Sequence, residues 1–348
     1  MLSFKRRPLG KSHLVVPEIC LGTMTFGEQT SERDAHKQLD FALGNGINFI
    51  DTAEMYCVPS RPETYGASEK IVGHWLKDKN RDQVLLATKV AGPSRHLDWI
   101  RGGPLALNRV NLRAAIEGSL QRLQTDYVDL YQLHWPERNQ PMFGQWQFDP
   151  TQDRECTSIR EQLEAMAELV DEGKVRAIGV SNEHPWGIMQ FIRLADELKL
   201  PHVLCTQNAY NLLTRTFEST LAEVCHREQI GLLAYSPLAF GHLTGQYLTN
   251  PTAPGRLTQW PAFGQRYCKP NVIPATTAYA ALAKKHGLTL TQMALGFVRS
   301  RWFVSSTIIG ASSLTQLQET LPATLTPISD ELLAEINTIH LQYTNPAP

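Results

Sequence analysis

Several absences narrow this chain before any motif is considered. Its six cysteines (Cys20, Cys57, Cys156, Cys205, Cys225 and Cys268) include no C-x-x-C pair. That spacing supports neither a zinc site nor a disulfide scaffold, so free thiols in a reducing cytoplasm are expected. No run approaches the roughly 20 apolar residues of a membrane span, and Lys5-Arg6-Arg7-Pro8 opens no export core, so no membrane partner is expected. Charge of one sign is missing as well. Lys and Arg number 33 against 34 Asp and Glu, and a net charge of −1 provides no field for nucleic acid. No internal repeat or low-complexity tract occurs. No G-x-G-x-x-G follows an early strand, which removes the Rossmann-type dinucleotide site. A small molecule is the expected partner.

What is present is ordinary globular usage, with 42% hydrophobic and 19% charged residues in a chain of 348. That is enough for a sizeable core. Eight short apolar runs alternate with amphipathic stretches: 19–22, 47–52, 84–90, 128–134, 175–181, 203–207, 230–235 and 307–310. Their Val, Ile and Leu content with little alternation suits strands buried on both faces. Repeated βα units of this kind imply an α/β fold, a (β/α)₈ TIM barrel formed by residues 1–348 as one domain. Ser31 caps one predicted helix with Asp34 three positions on, Leu39, Ala42 and Leu43 giving its stripe and Gly44 and Gly46 its end. Ile159, Leu163, Met166, Leu169 and Val170 mark another. Residues 2–16 read as an N-terminal β-hairpin turning at Gly10-Lys11 and closing the barrel's bottom. Long βα loops follow the fourth strand (135–156) and the seventh (239–274), with helices at about 275–286 and 291–301 before the last strand. Loops of that length are binding loops or lids.

In barrel enzymes the catalytic groups end the strands. Here the second run ends in Asp51 with Tyr56 close behind, the third carries Lys89, and the fourth ends in His134. Each has an ordinary explanation. Asp51 can cap a turn, Lys89 can sit on a solvated edge, His134 can be a satisfied core histidine, and Tyr56 can simply pack. Jointly they form a chemical unit. Asp51 would keep Lys89 charged, Lys89 would depress the Tyr56 pKa, and His134 would fix a carbonyl oxygen, which suits proton delivery to a carbonyl. A metal-dependent hydrolase built on His134 and Asp51 would need further ligands, and no other His terminates a strand, so no metal is expected.

The sequence resembles the aldo-keto reductases over essentially its whole length, with the voltage-gated potassium-channel β subunits as more distant relatives. The resemblance rests on Gly22-Thr23-Met24-Thr25-Phe26-Gly27, Asp51-Thr52-Ala53-Glu54-Met55-Tyr56, Leu133-His134-Trp135-Pro136, Gly179-Val180-Ser181-Asn182 and Tyr235-Ser236-Pro237-Leu238. It implies a (β/α)₈ barrel, a catalytic tetrad at Asp51, Tyr56, Lys89 and His134, and NADP(H)-dependent reduction of a small-molecule aldehyde or ketone. The other reading it allows is a regulatory or sensor module of the same fold that binds NADPH and turns over slowly.

Ser181-Asn182 and Gln207-Asn208 end strands in amide and hydroxyl groups suited to a carboxamide. The resemblance gives the carboxamide to Ser181, Asn182 and Gln207, and stacking on the nicotinamide to Tyr235. It places Ser236, Leu238, Gly241 and Leu243 along the pyrophosphate, and Gly310, Ala311, Ser312, Gln316 and Glu319 around the adenosine half. Ser312-Ser313 would open a helix with N–H groups free for phosphate. Gln246 stands where relatives often carry Lys, and Thr320 where they carry Asn, so Arg256 is the cation left for a 2′-phosphate. Met24, Phe26, Met55, Trp99, Trp135, Phe240 and Trp260 would furnish an aromatic mouth. Residues 57–64, stiffened by Pro59 and Pro62, lie next to Tyr56 and would shape what enters, while Cys57 reads either as a redox-sensitive thiol or as a small filler.

Overall fold

The computed structural model describes residues 2–93 and 96–348. Two short strands, β1 (Arg6–Pro8) and β2 (Val15–Pro17), pair antiparallel before the barrel begins. The barrel strands are β3 (Ile19–Gly22), β4 (Phe49–Asp51), β5 (Leu85–Val90), β6 (Leu130–Leu133), β7 (Ile178–Ser181), β8 (Val203–Ala209), β9 (Gly231–Tyr235) and β10 (Val304–Ile309). They run parallel in chain order and close where β10 pairs with β3. This is the expected eight-stranded barrel with its outer helices. Each of its strands is buried along most or all of its length, because helices cover one face and the interior packs the other.

Local chemistry sets the helix ends as read. Ser31 Oγ accepts from the Asp34 N–H at the start of helix Glu32–Gly44, whose Ala35, Gln38, Leu39 and Ala42 are buried. Ser158 caps helix Ile159–Asp171 in the same way, and Leu163, Met166 and Leu169 face the core.

Elsewhere the structure departs from the reading. Strand β10 starts at Val304, three residues early, since the buried Ser305-Ser306 pair interrupts the apolar pattern; Ser306 Oγ donates to Pro17 O at 2.8 Å. The hairpin pairs Arg6 with Pro17 and Pro8 with Val15, so its connection spans residues 9–14 instead of two. Gly10 lies there with φ +56°, and a Cβ on it would meet Leu204 O at 2.5 Å. That approach seats the hairpin on the strands' N-terminal ends, where Leu9 and Val16 join Cys20, Phe49, Leu130 and Leu233 in an apolar plug. Residues 239–274 are less irregular than expected, with short turns of helix at Ala239–Thr244, Gln246–Thr249, Arg256–Gln259 and Gln265–Cys268. The two following helices are Val272–Lys285 and Leu290–Ser300. A C-terminal helix, Asp330–Gln342, was not anticipated; it buries only Leu332 and Ile336, too sparse a stripe to stand out in the sequence. The two long loops meet at the opposite end from the hairpin, where Lys269 Nζ donates to Gly144 O at 2.7 Å.

Candidate active site

The four residues singled out at the strand ends converge. Asp51 closes β4, and a turn in which Tyr56 N donates to Ala53 O at 3.0 Å folds the phenol back over the barrel. Lys89 points inward from β5, fully buried, and its Nζ reaches Asp51 Oδ2 at 2.6 Å, Thr52 O at 2.7 Å and Tyr56 Oη at 3.4 Å. His134 follows β6 directly, its N–H bonded to Val90 O, and its ring meets the Tyr56 ring edge-on with centroids 5.6 Å apart. A buried ammonium needs such partners, because an unpaired one costs several kcal/mol.

The electrostatic balance at Tyr56 differs from expectation. Burial raises the phenol above its ordinary value; Lys89 pulls it down and Asp51 pushes it up again, leaving it raised. The phenolate would have to form away from water and near a carboxylate, so Tyr56 keeps its proton at neutral pH. Burial opposes the charge on Lys89, yet Asp51 and then Tyr56 outweigh it and hold the ammonium above its usual range.

Around this core the polar side chains brace one another. Gln207 Nε2 donates to Asp51 Oδ1 at 2.9 Å, so this amide supports the tetrad from β8 instead of pointing wholly at a ligand. Ser181 Oγ donates to Gln207 O at 2.7 Å. Asn182, with φ +55°, donates to His134 O at 2.9 Å and accepts from Tyr235 Oη at 2.7 Å. These residues form one polar wall beside Tyr56 and His134.

The wall opens into a cleft of about 1600 Å³. Asp51, Tyr56 and His134 line it, as do Ser181, Asn182, Gln207, Tyr235, Ser236, Leu238, Gly241, Arg256, Gly310, Ser312, Gln316 and Glu319. Lys89 lies beneath, out of contact with the space. The volume exceeds the roughly 300–1,000 Å³ of a drug-sized site, so a dinucleotide and a substrate fit together. At the end away from the tetrad, Ser313 caps helix Leu314–Ala323, and the Ser312 N–H is bonded at 3.0 Å to Gln316 Oε1 within the segment. The residues present therefore suit a nicotinamide dinucleotide, with amides beside the tetrad and a helix N-terminus at the far end.

Three expected contacts fall outside the cleft. Leu243 and Phe26 are fully buried in the core around the barrel, and Trp99 packs edge-on against Tyr65 with centroids 5.7 Å apart. Met24, Met55, Trp135, Phe240 and Trp260 do line it. Cys57 is buried, with its thiol pushed up by that burial, which suits a filler and not a reactive thiolate. The adjoining loop is pinned by an Arg61–Glu28 ion pair and by Val58 N donating to Met24 O at 3.0 Å.

Arg256 has other company than a 2′-phosphate role asks for. Its guanidinium lies 4.6 Å over the Phe240 ring, and burial pulls it down to about 10, opposed first by Tyr56 and then by Tyr267 and Tyr247. Sequence reasoning also missed Arg266, Phe263 and Tyr267, which line the same cleft. They belong to a Gly- and Pro-rich loop without periodicity, and an arginine amid the aromatics of such a loop was the one available signal.

Comparison with known proteins agrees with this geometry. Residues 18–340 match the aldo/keto reductase family. Over 339 residues the chain is 48% identical to "Protein tas" of Escherichia coli strain K12, covering 97% of this chain and 98% of that protein. It is 38% identical over 279 residues to "Aldo-keto reductase" of Babesia bovis, covering 76% of this chain and 98% of the relative. It is 34% identical over 324 residues to "Aldo-keto reductase YhdN" of Bacillus subtilis strain 168, covering 91% and 86%.

Proposed function

The chain belongs to the aldo/keto reductase family, and we propose that it reduces an aldehyde or ketone to the alcohol with NADP(H), Tyr56 giving the proton. The observation that carries this reading is the Asp51–Lys89–Tyr56 chain of contacts, at 2.6 and 3.4 Å, on the floor of a cleft of about 1600 Å³. Nicotinamide, when bound, supplies the hydride to the carbonyl carbon. Tyr56 meets the charge that develops on the oxygen, since its proton stays in place at neutral pH until an alkoxide asks for it. Lys89 then stabilises the phenolate left behind, and Asp51, itself braced by Gln207, keeps Lys89 in position. His134, edge-on to the Tyr56 ring, stands where it can orient the carbonyl oxygen. Ser181, Asn182 and Tyr235 form the wall against which the carboxamide and ring would rest.

The NADP(H) part rests on family membership, because the lining residues Gly310, Ser312, Gln316 and Glu319 include no cation for a 2′-phosphate. Dissociation constants that favour NADH would overturn it. The reductase reading is tested with Tyr56→Phe, which should lower turnover of an aldehyde panel by roughly 10²- to 10⁴-fold while cofactor binding persists. Near-wild-type turnover by that variant would sink the assignment of Tyr56.

A further inference from the structure

A loop has no hydrogen-bond ladder to set its path, so an unfavourable path must be fixed by the groups around it. The loop after β9 takes such a path. Ser236, Ala239 and Phe240 have φ of +55°, +48° and +55°, the left-handed region where a Cβ crowds the backbone. Among the described residues no other stretch of this length holds three such residues. The same stretch borders the active site. Ser236, Pro237, Leu238 and Phe240 line the cleft, and so does Tyr267 toward the loop's far end.

One side chain behind the cleft holds both ends of that loop. Asn211, in the turn after β8, is fully buried, and its Nδ2 donates to Ser236 O at 2.9 Å and to Tyr267 Oη at 3.1 Å. The Ser236 carbonyl also accepts from Ala239 N at 2.9 Å, closing the loop's first turn, and the Tyr267 ring packs on Phe240 with centroids 5.1 Å apart. Asn211 is itself fixed. Its Oδ1 accepts from Leu213 N at 2.8 Å, which sets the orientation of the amide, and its backbone exchanges hydrogen bonds with Thr214 at 3.1 and 3.0 Å. Residues 345–347 brace the turn from behind. Thr214 Oγ1 donates to Ala347 O at 2.7 Å, Ala347 N donates to Leu213 O at 2.9 Å, and Arg215 N donates to Asn345 Oδ1 at 2.8 Å.

We propose that Asn211 is a positioning residue for the dinucleotide: by stapling Ser236 to Tyr267 it sets one wall of the cleft before the cofactor arrives, with residues 345–347 holding it in place. This rests on the reading of the cleft as a dinucleotide site. Asn211 does not line the cleft, so its effect is preorganisation. A wall already on its bound path spares the cofactor the cost of ordering the loop. Without the staple that cost falls on cofactor affinity, while the contacts of Lys89 with Asp51 and Tyr56 stay as they are.

Fluorescence titration of NADPH, and of NADH in parallel, into the wild type and its variants tests this. Asn211→Ala should raise Kd roughly 10- to 100-fold, while kcat for an aldehyde at saturating reductant stays within about threefold of the wild type. Tyr267→Phe keeps the ring packing and removes one arm of the staple, so Kd should rise roughly three- to tenfold. The double variant should bind no more weakly than Asn211→Ala alone, because one staple cannot be lost twice. Thr214→Val, which releases the Ala347 carbonyl, should give a smaller rise. Additive losses in the double variant would mean that Tyr267 meets the cofactor by itself, and would overturn the proposal. So would a lower Tm in Asn211→Ala with unchanged Kd, since the side chain would then serve the fold alone. If Asn211→Ala does not fold, Tyr267→Phe decides, and an unchanged Kd there overturns the staple. Wild type that binds NADPH yet reduces no aldehyde fails the reductase reading and leaves the staple to be judged on Kd. Wild type that binds neither dinucleotide overturns both.

Discussion

Two cations sit near the mouth of this barrel, Lys89 fully buried on strand β5 and Arg256 half-buried on the loop after β9, and their surroundings differ. Lys89 has a carboxylate at 2.6 Å, a carbonyl at 2.7 Å and a phenol at 3.4 Å. Arg256 has an aromatic face and tyrosine hydroxyls. Strand ends are held by the ladder, so a partner placed on the neighbouring strand stays within reach. Asp51 and Lys89 are such a pair across β4 and β5. Loop residues have no such frame, and their charges are free to be completed by what binds. Under the proposed reaction, Asp51 and Lys89 are fixed by the rigid part while loops are left to shape what binds, a division of labour a barrel permits.

The largest expected effect comes from giving Lys89 the condition of Arg256. Asp51→Asn removes its carboxylate and leaves a buried ammonium without a counter-charge. Breaking a buried pair in this way costs about 3–5 kcal/mol of stability, and the loosened lysine should cost turnover on the scale of general acid catalysis, roughly 10²–10⁴-fold. Denaturant unfolding and steady-state rates check both. A variant that unfolds early yet reduces aldehydes at the wild-type rate would mean that Asp51 serves only the fold.

Next in size is a pair that is compensated as fully as Lys89 but stands off the reacting atoms. Glu54 is buried, accepts from the Ala91 N–H at 2.5 Å and is paired with Arg101. Burial raises its carboxyl and Arg101 lowers it, with a net rise. Glu54→Gln should lose a comparable 3–5 kcal/mol. Turnover should fall less than tenfold at temperatures where the variant is folded, because the contacts of Lys89 with Asp51 and Tyr56 do not pass through Glu54. A loss matching that of Asp51→Asn would erase the distinction between supporting and reacting charges.

How far these features could be read in the sequence follows the same division. The eight strands, the cap at Ser31 and the four residues Asp51, Tyr56, Lys89 and His134 were legible, because strand runs and strand-end chemistry are local patterns. The hairpin register was not: the turn at Gly10 is fixed by its approach to Leu204 O, a contact remote in sequence. The start of strand β10 was read three residues late because Ser305-Ser306 breaks the apolar run, while the Ser306 hydrogen bond to Pro17 O makes a polar residue tolerable in a buried strand. The sign of the shift at Tyr56 was missed because burial, which outweighs Lys89, is a property of the whole barrel. Arg266 was missed because nothing in Gly264-Gln265-Arg266-Tyr267 shows that the loop folds it into the cleft.

The smallest expected effect lies at Tyr65, which joins two of the compensated pairs. Its hydroxyl donates to Glu54 Oε2 at 3.3 Å and the Arg122 guanidinium lies 4.9 Å over its ring, with Arg122 bonded to Glu69 at 2.7 Å. Burial first, and Glu54 second, push the phenol from 10.0 up to about 12. A group whose pKa rises on folding favours the native state while protonated. Its contribution is whole below the unfolded value near 10 and is lost as pH climbs toward 12, because only the unfolded chain then ionises freely. For a rise of this size the loss is about 2–3 kcal/mol. Tyr65→Phe should therefore cost roughly 1.5–3 kcal/mol at pH 7, the worth of a hydrogen bond to a charged acceptor, and should flatten the alkaline limb of stability. Urea unfolding of both proteins between pH 8 and 12 separates the two terms. Parallel curves would show that Tyr65 titrates alike folded and unfolded, and that the compensated pairs around it shield it from neither water nor charge.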